Sequence, residues 1–154
     1  MEKKPKPEYY TKEGLEELKK ELNRLKTEET RKISELIRQT ASFGDLKENF
    51  AYHDAKDKQA FLQGRIAELD GKIRNSIIVE KGISDKVQVG SKIEILADGE
   101  KMQIQIVSTD LVDPLHGKIS YESPLGKVLM NKKVDDEVEF GFDEKTVYRI
   151  LKIE

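Results

Sequence analysis

Two long heptad-patterned stretches flank one ten-residue segment, Gly44-Asp45-Leu46-Lys47-Glu48-Asn49-Phe50-Ala51-Tyr52-His53, and this leaves the first half of the chain essentially one way to fold. Thr11 is suited to cap a helix, and after it the apolar positions Leu15, Leu18, Leu22 and Leu25 are spaced 3, 4 and 3. The seam misses a beat at Glu29 and resumes at Ile33, Leu36 and Ile37, which predicts a local relaxation inside a continuing helix. It fades through Gln39-Thr40-Ala41-Ser42 and breaks at Gly44. The second stripe, Tyr52, Ala55, Gln59, Leu62, Ile66, Leu69 and Ile73, alternates spacings of 3 and 4 without interruption, with Gln59 setting register at some cost in stability. Two such stripes joined by a few residues bury each other only by folding back. Residues 1–76 are therefore expected to form an antiparallel α-helical coiled-coil hairpin with its tip near residues 43–50. Each arm of about 30 residues would extend roughly 45 Å at 1.5 Å per residue.

After Asn75 the pattern changes. Ile77-Ile78-Val79 is β-branched, and residues 92–96, 102–107 and 146–153 alternate apolar with polar, as half-buried antiparallel strands do. Asp98-Gly99-Glu100 reads as a hairpin turn. Ser123-Pro124 opens a short helix over 123–130, with Ser123 as cap and Pro124 at the first helical position, where a missing N–H costs nothing. Residues 77–154 are expected to form a small globular domain, making the chain α+β with an antiparallel sheet and a short helix.

Composition narrows the function classes. The charged fraction of 38% exceeds what one compact domain needs and suits an elongated charged helical element beside a small globular one. The net charge of -2 argues against gripping duplex nucleic acid by bulk electrostatics. The chain's 28 basic and 30 acidic residues divide 17 to 15 up to residue 76 and 11 to 15 beyond it, so the hairpin is slightly basic and the globular part acidic. With no cysteine, disulfides and thiolate chemistry are excluded, and His53 and His116 are too few and too far apart for a zinc site. No apolar run is long enough to cross a bilayer, and Met1-Glu2-Lys3-Lys4-Pro5 leads into polar sequence with no signal-peptide core, so the expectation is a cytoplasmic protein with no membrane partner.

The tip reads two ways. If the second helix begins near Asp45, then Asp45 and Glu48 emerge from one face of its first turn and offer two oxygen ligands, half of a Mg²⁺ site. By spacing alone the stronger reading is a capping box, with Asp45 meeting orphan N–H groups and Glu48 favoured by the helix dipole. Phe43, Leu46 and Phe50 tilt the balance back, because a hairpin tip packs against nothing and Phe43 is hard to bury there. Arg38, Lys47, Lys56, Lys58 and Arg65 are placed to steer phosphates, or are solvated surface and i,i+4 partners.

Gly44-Asp45-Leu46-Lys47-Glu48-Asn49, followed by Tyr52-His53 and Gln63-Gly64-Arg65-Ile66, closely resembles the signature of bacterial Gre transcript-cleavage factors of the GreA type. The resemblance extends to Ile119-Ser120-Tyr121-Glu122-Ser123-Pro124-Leu125-Gly126-Lys127 and Val134-Asp135-Asp136-Glu137-Val138, and so spans nearly the whole chain. It implies a C-terminal FKBP-like domain that docks at the rim of the RNA polymerase secondary channel, with the hairpin reaching down to the active centre. Asp45 and Glu48 would then be the catalytic acids, helping polymerase to hold a second Mg²⁺ and its water for cleavage of the 3′ end of backtracked RNA. The Mg²⁺ is held jointly and not stably bound by the factor alone.

Further roles carried by the resemblance are tip contacts for Phe43, Leu46, Lys47, Asn49 and Tyr52, RNA-proximal charge for Lys56 and Arg38, and polymerase docking for Glu122, Ser123 and Pro124. Ala41 departs from an arginine frequent in the GreA type and weakens the grip on RNA, which favours short backtracks. The partners implied are bacterial RNA polymerase and the nascent RNA 3′ end, with the factor acting as a monomer and activating polymerase instead of catalysing alone. The rivals are an inhibitory Gre homologue with a differently charged tip, an FKBP-like isomerase or chaperone, and a structural coiled-coil adaptor that would leave the tip motif unexplained. Isomerase activity needs an aromatic-lined pocket, and Tyr121, Phe140, Phe142 and Tyr148 read more simply as scattered core residues.

Overall fold

The computed structural model describes residues 6–80, 82 and 85–154; Met1–Pro5, on which the signal-peptide argument rests, lie outside them. The chain is mixed α+β and divides into two compact units, one of residues 16–75 and one joining the described residues up to Leu15 with those from Ser76 onward. That division differs from a single cut at residue 76. The reason is a strand the sequence pattern did not reveal: β1 (Glu8–Tyr10) pairs in parallel with β2 (Ser76–Ile78).

The helical unit contains most of α1 (Lys12–Arg24), then α2 (Thr30–Ala41) and α3 (Phe50–Arg74), with α2 packed against α3. Leu18, Leu22, Leu25, Thr40, Ala55, Leu62 and Leu69 are buried, and Tyr52, Gln59, Ile66 and Ile73 are half-buried. Every position of the second stripe thus avoids full exposure. The charges sit outside, in pairs such as Arg31–Glu35, Lys58–Asp54 and Arg74–Asp70 whose members are largely solvated. Such pairs contribute only a few tenths of a kcal/mol each. Leu69 is fully buried, and Leu69→Ala is expected to cost about 2–5 kcal/mol, read as a lower midpoint in helical circular dichroism on heating.

The missed beat at Glu29 has a definite structure. Leu25 and Ile33 are eight residues apart where a heptad allows seven, and Leu25–Glu29 form a π-helical turn that absorbs the extra residue. The seam continues beyond it at Ile33, Ile37 and Thr40. Thr30 Oγ1 donates to the Leu25 carbonyl at 2.8 Å, beside the Thr30 N–H that bonds the same oxygen across the wider turn. Glu29 accepts from Lys32 and Arg24 across the turn, which lowers its carboxyl pKa, Lys32 being the larger cause.

In the other unit, Thr11 caps α1 as expected, its Oγ1 accepting from Gly14 N at 3.0 Å. The main sheet has β3 (Lys92–Ala97), β4 (Glu100–Val107), β5 (Lys118–Ser120), β6 (Glu137–Phe140) and β7 (Thr146–Ile153) in the order β5-β4-β3-β7-β6. All its pairings are antiparallel except β4 with β5, which is parallel, against the purely antiparallel expectation. The β3–β4 turn runs through Asp98 and Gly99 at φ 51 and 79, the left-handed pair a tight hairpin needs. Ile77-Ile78-Val79 contributes to β2 instead of this sheet.

α4 (Pro124–Leu129) places Leu129 in a core with Val87, Ile93, Ile95, Ile104, Ile106, Val138 and Ile150. The short N-terminal strand is pinned by Tyr10, fully buried, whose hydroxyl lies 2.9 Å from Glu8 Oε2 and 2.8 Å from Asp110 Oδ2. Burial is the main reason its phenol pKa is pushed far above the ordinary value.

Candidate functional site

The helix boundary removes the premise of both readings of the tip, the carboxylate pair on one helical face and the capping box alike. α3 begins at Phe50, and its cap is Asn49, whose Oδ1 accepts from Tyr52 N at 3.0 Å. Asp45 and Glu48 therefore precede the helix and share no helical face, and the capping box is not formed. Asp45 Oδ1 instead accepts from Lys47 N at 3.1 Å, closing a turn that sequence-local Asp side chains favour, and Glu48 N donates to the Asp45 carbonyl at 3.3 Å.

Gly44 at φ +128 lets the chain leave α2, a torsion at which a Cβ is strained although the space is open. Both carboxylates are exposed, and neither forms an ion pair among the described residues.

Asn49 has a role within the turn itself. Its Nδ2 donates to the Thr40 carbonyl in the last turn of α2 while its Oδ1 caps α3, so one side chain ties both arms at the turn. The sequence signal was available: Asn ranks with Asp as a cap, and it stands immediately before the first residue of the second helix. Asn49→Ala is expected to cost about 1–2 kcal/mol, detected as faster amide hydrogen exchange at Tyr52 with the far ends of the helices unaffected.

Around the carboxylates, Phe43 is 70% exposed, Phe50 87% and Leu46 43%, so none of the three staples the helix entry. Lys47 is exposed, and Tyr52 is half-buried with its ring edge-on to His53 at 5.7 Å. Arg38 is exposed near the end of α2, and Lys56, also exposed, donates to Gln59 Oε1 at 3.0 Å. The donor set is hard oxygen, suited to Mg²⁺, and among the described residues no group of three or more His, Cys, Asp or Glu converges on a point. Asp45 and Glu48 offer oxygen ligands of the kind Mg²⁺ takes.

The second candidate cluster, Glu122, Ser123 and Pro124, runs from the turn after β5 into the first residue of α4. Ser123 is committed internally: its Oγ donates to the Ser120 carbonyl at 2.6 Å and accepts from Gly126 N at 3.0 Å, capping α4 as the sequence predicts. Glu122 and Pro124 are exposed, with Glu122 N donating to Ser120 Oγ at 3.0 Å and Glu122 Oε2 accepting from Thr109 Oγ1 at 3.2 Å. Ser123 shapes this loop, and Glu122 and Pro124 form its surface. Its other neighbour, Tyr121, accepts from Tyr9 N at 3.3 Å and packs edge-on against the Tyr9 ring, and burial raises its phenol pKa.

The sequence profile described as "Transcription elongation factor, N-terminal" matches residues 8–78, and "Transcription elongation factor, GreA/GreB, C-term" matches residues 82–154. The transcription elongation factor GreA of Thermoanaerobacter pseudethanolicus is 42% identical over 155 residues, covering 96% of this chain and 99% of its own. GreA of Bacillus subtilis is 44% identical over 131 residues, 83% of each. Among solved structures, the GreA factor homolog 1 (Gfh1) protein of Thermus thermophilus aligns over 97% of this chain and 99% of its own at 26% identity with a TM-score of 0.46.

Proposed function

Because the chain belongs to the GreA/GreB family of transcription elongation factors, we propose that its tip completes a metal site inside RNA polymerase and so stimulates cleavage of the 3′ end of backtracked RNA. It is a Gre-type elongation factor, and a factor acting on elongation implies RNA polymerase as partner. The observation that carries the finer reading is the pair Asp45 and Glu48, exposed on a turn outside both helices and released from capping by Asn49.

Asp45 and Glu48 would hold a Mg²⁺ jointly with acids of the polymerase, and the ion so held supplies charge neutralisation for phosphodiester hydrolysis. The chain's own residues do the rest. The Lys47 N–H fixes the Asp45 carboxylate, Asn49 fixes the turn, and Phe43, Leu46 and Phe50 offer apolar contact to the surrounding channel. Arg38 and Lys56 place positive charge for the RNA backbone, with Tyr52 beside them. Residues 16–75 act as a coiled-coil hairpin that enters the secondary channel, and the unit built around the main sheet acts as an FKBP-like domain that docks at its rim through Glu122 and Pro124, with Ser123 holding the loop. The factor is not a catalyst alone, works as a monomer in the cytoplasm and, with Ala41 in place of an arginine, serves short backtracks. Among the described residues no helix is long and apolar enough to cross a membrane.

The test is a backtracked elongation complex with bacterial RNA polymerase and Mg²⁺. Release of short 3′ fragments on adding the wild-type factor is expected. Suppression of both cleavage and elongation would instead make it an inhibitory homologue acting through the same channel.

A further inference from the structure

The β6 edge of the main sheet combines three features that neither the tip nor the 122–124 loop explains. β6 is the terminal strand, so among the described residues one of its sides has no neighbour in the sheet. Its side chains alternate, with Val138 buried and Phe140 half-buried on one face and Glu137 and Glu139 exposed on the other. Beyond it, Gly141 makes a fixed turn at φ +154, where a Cβ would stand 2.1 Å from the Glu144 carbonyl oxygen. That turn sets out Phe142, 93% exposed, with its ring 6.3 Å from Phe140, which in turn lies 6.4 Å from Tyr148. An aromatic row therefore runs from half-buried Tyr148 on β7 through Phe140 to Phe142 in the turn at the end of β6. Acids predominate: Glu137, Glu139, Asp143 and Glu144 are exposed, Lys145 is the one cation in this stretch of sequence, and Arg149, opposite Glu137 on β7, is paired with Asp135.

We propose that β6 accepts an extended segment of a partner protein as a sixth strand, and that the segment alternates Lys or Arg with apolar residues. Strand addition satisfies backbone groups at an open edge, and the side-chain alternation sets specificity. On an added strand the residues opposite Glu137 and Glu139 are best basic, and those beside Val138 and Phe140 are best apolar, with Phe142 closing over them. The same carboxylates reject other occupants. Two copies of β6 paired edge to edge bring Glu against Glu, the opposite edge strand β5 offers only Lys118, and nucleic acid is repelled. Edge charges usually serve to prevent pairing. Here the acidic excess and the exposed aromatic beside it make the edge selective.

The experiment uses the full chain, ¹⁵N-labelled, titrated with the synthetic peptide Lys-Val-Arg-Val-Lys-Val and with a block peptide of the same composition, Lys-Arg-Lys-Val-Val-Val. Amide shifts centred on residues 137–142 are expected with the alternating peptide, and binding at least about tenfold weaker with the block peptide and with Glu137→Lys/Glu139→Lys. Phe142→Ala is expected to weaken binding without shifting the thermal midpoint, because the ring is almost wholly exposed. Glu137→Gln/Glu139→Gln provides the milder variant should charge reversal perturb folding, and it too should weaken binding. Equal response to the block peptide, shifts centred elsewhere, or concentration-dependent self-association that occupies this edge would overturn the proposal.

Discussion

Asp45→Asn/Glu48→Gln is expected to lower stimulated transcript cleavage on the order of 100-fold, equivalent to about 2.7 kcal/mol of barrier at about 1.4 kcal/mol per factor of ten, while leaving affinity for polymerase unchanged. The substitution suits the structure at both positions. An Asn side-chain oxygen still accepts from Lys47 N, so the turn that Asp45 closes survives while its charge is lost. Glu48 is exposed and sits before the helix, so its amide neither removes a cap nor leaves a buried group unpaired. Loss of cleavage with retained binding would therefore report the carboxylate charges and not a damaged tip. Competition for polymerase against the wild-type factor supplies the binding control.

Gly126→Ala is expected to destabilise the sheet unit by about 3 kcal/mol or more, at the upper end of what overpacking costs. A Cβ at this position would lie 2.0 Å from the Ser120 carbonyl oxygen and 2.9 Å from Ser123 Oγ, and the first of these is backbone that cannot swing aside. The affected atoms hold the 120–124 loop, since Ser123 Oγ bonds both Ser120 O and Gly126 N. Weaker polymerase binding should accompany the lower thermal midpoint. Ser123→Ala removes the cap and the bond to the Ser120 carbonyl without adding bulk and should cost about 1–2 kcal/mol, so the two variants separate crowding from lost hydrogen bonds. A Gly126→Ala protein that melts with the wild type would show that the loop tolerates displacement.

The helical unit was legible because its information is local. Heptad spacing names the buried faces directly, and Leu18, Leu22, Leu25, Ala55, Leu62 and Leu69 are buried as the stripes require. Even the missed beat at Glu29 was visible, although its form, a single π turn, depends on hydrogen bonds that spacing does not encode. β1 was not legible: three residues, Glu8–Tyr10, carry no periodicity, and their partner lies at Ser76–Ile78, far along the chain. The parallel placement of β5 was hidden for the same reason, since three residues do not declare a direction.

At the tip the residue types were readable and the helix start was not. Asp45 and Asn49 are both good caps, and the structure gives the role to Asn49 because its two ends reach Thr40 O and Tyr52 N at once. Moving the helix start past both carboxylates removes the competition between capping and metal binding. Asp45 and Glu48 need not give up cap bonds to take a ligand.

The central claim is that the factor and polymerase share a metal, and its most direct test is the Mg²⁺ dependence of cleavage in a backtracked complex at saturating factor. Wild type should lower the Mg²⁺ concentration for half-maximal cleavage below that of polymerase alone. Asp45→Asn/Glu48→Gln should return it toward the factor-free value even when the channel is fully occupied. An unchanged Mg²⁺ midpoint across polymerase alone, wild type and variant, with stimulation still dependent on the two carboxylates, would contradict a shared ion.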